Sequence, residues 1–265
     1  MLHRLAACAS LLAALGAGVR ADGARAGARP ASGGRPERIT VSAAISLSGA
    51  LEEAANAYAA GGGGEVAFNF AASNVLARQI VNGARVDMFI SADGAQMDLV
   101  ERAGLVAPGT RLPLAGNRLA LIAPSGTEHV TSVHSLTDPR VRRIAVGDPA
   151  AVPAGVYARQ YLEQAGLWPQ LQAKLVPTGS VRAALAAVAN RATDAGFVYM
   201  TDARGARDVR VVQRIEGVHA PSIVYPMCIV TTGAHSDEAK PFHAFLRGPQ
   251  GSAVLQHHGF RPPEP

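Results

Sequence analysis

The chain has 265 residues, 48% of them apolar, 17% charged and only 5% aromatic. That length suffices for one large domain or two moderate ones, each with its own core, and so few aromatic residues argue against a stacking surface for nucleic acid. The formal charge of +5 places +2 on residues 1–21 and +2 on residues 22–38, leaving +1 for residues 39–265, so no basic face for nucleic acid is expected.

The N-terminus has the layout of a secretory signal. His3-Arg4 precede an apolar run from Leu5 to Val19, and Val19-Arg20-Ala21 supplies a small-x-small cleavage site, so residues 1–21 read as a signal peptide. The run is too short and Gly-interrupted for a membrane helix. Leu5-Ala6-Ala7-Cys8 has the form of a lipoprotein box, but no apolar stretch precedes it, and lipid anchoring at Cys8 is not expected. Residues 22–37, rich in Gly, Ala, Pro and Arg, read as a flexible leader. Beyond them the one cysteine is Cys228, expected as a buried bystander in an apolar strand.

From residue 39 strand-like and helix-like runs alternate. "ITVSAAI" is β-branched and apolar, and "LSGALEEAANAYAA" carries Leu51, Ala54, Ala55 and Tyr58 at helical spacing. "EVAFNFAA" is a second strand, followed by the helix "SNVLARQIVNG" with Val75, Leu76, Ile80 and the stem of Arg78 on its apolar face. "VDMFISA" and "GAQMDLVERAG" give a third pair. A second set follows: "NRLALIAP", "VRRIAVGDP" with a helix at 154–165, "AKLVP" with "SVRAALAAVANR", and "AGFVYMTDA". "VRVVQRI" and "SIVYPMCIVTT" lead to two last helices at 236–247 and 249–257. The rhythm predicts an α/β protein of two lobes, each a mostly parallel sheet flanked by helices. The expected boundaries are 38–117 plus 224–265 for lobe I and 118–223 for lobe II, with crossings near 118–123 and 222–230 and a ligand cleft at the hinge.

Ligands of open parallel sheets gather at the carboxyl ends of strands. Four strand-to-helix turns stand out there: Ser46 in "AAISLSG", Ser73 in "NFAASNV", the amides around Ala154 in "GDPAAVPAG", and "VPTGSVRAA", where Ser180 reads as an N-cap with the Val181 amide in the first turn. Each is rich in Ser, Gly, Ala and Pro and lacks a capping acid. Ser alone is simply a good N-cap, but four such helix starts in two lobes suit an anion, because free amides and the helix dipole favour negative charge. Asp148 lies five residues before Pro153 and is expected to stabilise the loop. Tyr199 closes "GFVYMTDA"; the residues alone leave it between a core tyrosine and a phenol donor at the cleft.

Taken together, "ITVSAAISL", "ASNVLARQIVNGARVDMFISAD", "RIAVGDPAAVPAGVYA", "SVRAALAAV" and "GFVYMTDA" resemble the periplasmic molybdate-binding proteins of molybdate ABC transporters, in order along nearly all of residues 39–265. The resemblance implies a two-lobed, type II periplasmic binding fold that closes on a tetrahedral oxyanion. It implies ligand contacts from Ser46 and Ser73 in the first lobe, and from the amides of Ala154 and Val181 and the hydroxyl of Tyr199 in the second. It implies molybdate or tungstate as ligand, no cofactor, molybdenum held only as its oxyanion without protein–metal bonds, a membrane permease as partner, a monomer, and a periplasmic location. Two positions depart from the family pattern: Ile45 stands where a small residue often precedes the first serine, and Ala72 where serine is common before the second.

The near alternative is a binding protein for another anion, such as sulfate, phosphate or a small carboxylate. A secreted serine hydrolase is an alternative of another class, but "ISLSG" lacks the first glycine of a nucleophile elbow. The adjacent His257-His258 pair points apart on a helix and offers no metal site.

Overall fold

The computed structural model describes residues 38–263; the expected signal peptide, leader and Cys8 box lie outside the described residues. Strand β1 (Ile39–Ala44) leads through a 3-10 turn (Ile45–Leu47) into helix α1 (Ser48–Ala60). β2 (Val66–Ala71) leads into α2 (Ser73–Val81), and β3 (Met88–Ile90) into α3 (Gly94–Arg102). After β4 (Leu112–Asn117) and β5 (Leu119–Pro124) come β6 (Ile144–Gly147), α4 (Pro153–Gln164), the single turn α5 (Trp168–Leu171) and β7 (Leu175–Thr178). Then follow α6 (Val181–Ala189), β8 (Ala195–Tyr199), the short α7 (Met200–Ala203), β9 (Val209–Arg214), β10 (Ile223–Ile229), α8 (Ala239–Arg247) and α9 (Pro249–His257).

The strands form two five-stranded sheets, ordered β2-β1-β3-β10-β4 and β7-β6-β8-β5-β9. In the first, β1 pairs in parallel with β2 and β3, while β10 runs antiparallel to both β3 and β4. In the second, β6 pairs in parallel with β7 and β8, while β5 runs antiparallel to β8 and β9. Each sheet is therefore mixed, with one strand reversed among four that share a direction. The reversed strands are the two that the sequence marks as crossings. A helix crossover brings the chain back in its original direction; β5 and β10 instead enter straight from the other sheet, β5 after Asn117 and β10 after the stretch that follows Arg214.

Strand β4 is absent from the sequence reading. Pro113 and Gly116 disguise it, and it survives because it is an edge strand: Pro113 lies opposite Pro226, where the register of β10 breaks after Tyr225. The apolar face of α2 also differs from expectation. Leu76, Ala77 and Ile80 are buried with Ser73 and Asn74, Val75 is half-buried, and Arg78 is exposed. The helix presses its small and polar first turn inward, toward the ends of β1 and β3. The penultimate helix begins at Ala239 rather than 236, because the Ser236 hydroxyl bonds the Val230 and Gly233 carbonyls and holds that stretch as a loop.

The inner strands of the first sheet, β1, β3 and β10, are buried on both faces. Phe89 and Cys228 pack with Leu76, Ile80 and Met97 on one side, and Met88 and Ile90 with Leu47 and Leu51 on the other. Burial pushes the Cys228 thiol up to about 12, which fits an inert core residue.

Candidate functional site

Ser46, Ser73, Ala154, Val181 and Tyr199 line one cavity, which holds at most about 220 Å³ of space between atoms. The cavity is smaller than an ordinary small-molecule pocket of roughly 300–1,000 Å³, and it suits an ion of a few atoms. Its other walls include Ile45, Ala72, Ala92, Val152 and Pro153, and no charged side chain or histidine lines it. Two of the five residues come from the first-sheet part of the chain and three from the second.

Helix starts deliver the backbone donors. An α-helix leaves its first amides without intrahelical acceptors, and Ser or Asp at the N-cap is worth about 1 kcal/mol over Ala. Yet the 3-10 turn begins after Ala44, α2 after Ala72 and α4 after Val152, none with a capping side chain. In α4, Pro153 has no N–H, and the amides of Gly155 and Val156 both donate to the Val152 carbonyl at 2.8 and 2.9 Å. The Ala154 amide has no acceptor among the described residues. Two glycines make this turn possible. A Cβ on Gly155 would lie 1.9 Å from the Gly147 carbonyl oxygen, so the helix start sits directly on the end of β6. Asp148 behaves as expected, accepting from the Ala150 amide at 2.9 Å within the loop. In α6, Ser180 caps the Ala183 amide at 3.2 Å, which leaves the Val181 amide unpaired at the cavity.

The hydroxyls are oriented by what they accept. Ser73 Oγ accepts from the Ala92 amide at 2.9 Å, so its own proton is available to a ligand. Ser46 Oγ lies 3.0 Å from the Tyr225 hydroxyl, which also receives the Asn117 side-chain amide at 3.2 Å. The Tyr199 hydroxyl is buried and has no partner among the described residues. Burial raises its pKa well above the ordinary phenol value, and it stays a proton donor. A buried polar group without a partner costs about 1–3 kcal/mol, so this phenol is arranged for a bond that the chain itself does not make.

Charge is kept behind the donors. Asp202, in α7 three residues past Tyr199, has a fully buried side chain. Burial raises its carboxyl to about 7, opposed by the charge of Arg182 and by the nearby Tyr199 backbone amide. Arg182 Nε lies 3.0 Å from Asp202 Oδ1, at ion-pair distance but without the alignment of a hydrogen bond. Asp93 caps α3 through the Gln96 amide, and burial raises its pKa as well.

Sequence reasoning missed Tyr225, Asn117, Ala92 and Asp202. Tyr225 and Asn117 sit inside strands 108 residues apart and carry no local signal. Asp202 was visible in "YMTDA", but its burial depends on the packing of α6 on α7.

Two mixed sheets flanked by helices, with neutral donors gathered at one small cavity, are what a binder of a small anion requires. The model for the bacterial extracellular solute-binding proteins matches residues 39–261, and the chain belongs to that family. It is thus a solute-binding protein and not an enzyme. The molybdate-binding protein ModA of Escherichia coli is 37% identical over 230 residues, covering 84% of this chain and 88% of that protein. ModA of Haemophilus influenzae is 35% identical over 229 residues, covering 84% and 89%. Among solved structures, the periplasmic molybdate-binding protein of Azotobacter vinelandii superposes with a TM-score of 0.75 at 27% identity, covering 85% of this chain and all of the other. The resemblance to molybdate-binding proteins read from the sequence is borne out over most of the chain.

Proposed function

We propose that the protein captures molybdate outside the cytoplasm and delivers it to the membrane permease of an ABC transporter, with tungstate as a second ligand of the same site. One observation carries this reading: five residues that bear amide or hydroxyl donors meet at one small cavity without a charged side chain. Ser46 and Ser73 hold the anion from the first-sheet side; closure adds Ala154, Val181 and Tyr199 and excludes water. Molybdenum is held through its oxygens, so no protein atom coordinates the metal and no cofactor takes part. The names of the relatives support molybdate over other tetrahedral anions, and the chain works as a periplasmic monomer.

Each bond from an amide or hydroxyl to a charged oxygen is worth roughly 1.5–3 kcal/mol net, so five such residues sustain tight binding after the cost of closure. Sulfate has shorter bonds to oxygen, and donors set for molybdate stand too far from it. A thermal-shift panel of molybdate, tungstate, sulfate, phosphate and vanadate tests the reading. Molybdate and tungstate are expected to raise the melting temperature with the logarithm of their concentration; a larger shift with sulfate would overturn the assignment.

A further inference from the structure

We infer that Asn117 and Tyr225 form a polarity lock that turns the Ser46 proton toward the ligand, and so set the discrimination between a fully ionised oxyanion and one that keeps a proton. The inference rests on the proposed oxyanion function and adds two positioning residues to it.

The direction of each hydrogen bond follows from one fixed point. The Arg118 backbone N–H can only donate, and it lies 2.8 Å from Asn117 Oδ1. That settles which end of the Asn117 amide is oxygen. Its NH₂ group therefore faces the Thr201 hydroxyl oxygen at 2.9 Å and the Tyr225 hydroxyl oxygen at 3.2 Å. An NH₂ group donates and does not accept, so the Tyr225 oxygen receives a proton from Asn117. Tyr225 is fully buried, and Ser46 Oγ, at 3.0 Å, is the acceptor its own single proton reaches. Ser46 Oγ is thereby an acceptor on its inner side, and its remaining proton points to the ligand. Ser73 is held in the same sense by the Ala92 amide. A ligand oxygen carrying a proton then meets a proton, rather than a lone pair, on the side each serine turns toward it.

The relay also joins the two halves of the fold. Asn117 ends β4, Tyr225 lies in β10, and Thr201 follows Tyr199 in α7. One side-chain amide at the crossing between the sheets therefore touches both the Ser46 relay and the turn that carries the Tyr199 donor.

The test compares molybdate with hydrogen phosphate in mildly alkaline buffer, where both are dianions and only phosphate keeps a proton. Tyr225→Phe removes the hydroxyl that locks Ser46. Asn117→Asp keeps the acceptor for the Arg118 amide but turns the other end from donor to acceptor. The Tyr225 proton then turns to the new carboxylate, and Ser46 turns its proton inward and its lone pairs toward the ligand. The added charge repels both dianions alike, so the ratio of their affinities isolates the effect. By calorimetric titration of the full chain, the ratio of molybdate to hydrogen phosphate affinity is expected to fall about tenfold in Tyr225→Phe, the worth of one hydrogen bond to a charged oxygen, and further in Asn117→Asp. A ratio within about twofold of the parent in folded Tyr225→Phe would overturn the lock, and that variant alone decides the matter should Asn117→Asp fail to fold. A parent chain that binds no molybdate would instead overturn the functional reading on which the lock rests.

Discussion

The Ala92 amide donates to Ser73 Oγ across 2.9 Å, tying the turn after β3 to the first residue of α2. Ser73 thus has two tasks: it satisfies a buried amide and offers its proton to the cavity. Ser73→Ala removes both. Molybdate affinity is expected to fall about 10- to 100-fold, and the ligand-free chain to lose about 1–3 kcal/mol because the Ala92 amide is left unpaired. Calorimetry and urea denaturation read the two effects separately.

Tyr199→Phe separates binding from folding more cleanly. The Tyr199 hydroxyl has no partner among the described residues, so its removal leaves no group unsatisfied and relieves the burial of one. Stability without ligand is expected to hold or rise slightly, while molybdate affinity falls about tenfold or more. A loss of ligand-free stability would show that the phenol serves the fold.

At the start of α4, adjacent substitutions are expected to behave in opposite ways. Ala154→Gly keeps the amide, costs about 1 kcal/mol in helix propensity, and leaves molybdate affinity within a few-fold. Gly155→Ala drives a methyl into the Gly147 carbonyl and displaces the turn, so both stability and binding fall. Ala154→Asp is a poor probe of the amide, because the Ala154 side chain is itself buried and the change would bury a carboxylate as well as repel the ligand. Circular dichroism melts paired with titration distinguish these cases.

Asp202 gives the chain a signed pH dependence. Its carboxyl titrates near 7 in the folded state because it is buried, against about 3.9 for an ordinary aspartate. The folded state holds this proton more tightly than the unfolded state, so the contribution to stability falls as pH rises from about 4 to about 7 and is flat above. In Asp202→Asn this fall is expected to vanish, so the melting temperature of the variant relative to the parent climbs through that window. A parent chain whose Asp202-dependent stability grows with pH would mean that Arg182 outweighs burial.

Four of the five cavity-lining donors, Ser46, Ser73, Ala154 and Val181, were legible because each belongs to a local pattern. A strand end, a small or Ser-rich turn and an uncapped helix start lie within a few residues of one another, and "GDPAAVPAG" shows all three. The alternation of strands and helices and the two crossings were legible for the same reason. Tyr199 needed a family resemblance, since nothing local tells a buried phenol with a partner from one without. Strand β4 was hidden by Pro113 and Gly116, which only an edge position next to a bulge tolerates. The Asn117–Tyr225–Ser46 relay was hidden because its members meet only after the chain crosses between sheets twice. The reversed direction of β5 and β10 is likewise a consequence of topology and leaves no trace in periodicity.

The central claim is that the five donors hold a molybdate-sized, fully ionised anion. Isothermal calorimetry of the full chain with molybdate, repeated in a large excess of sulfate, tests it most directly. One molybdate per chain is expected, with an affinity little changed by sulfate and a marked loss in Tyr199→Phe. Sulfate bound as tightly as molybdate, or molybdate binding indifferent to the loss of the Tyr199 hydroxyl, would contradict it.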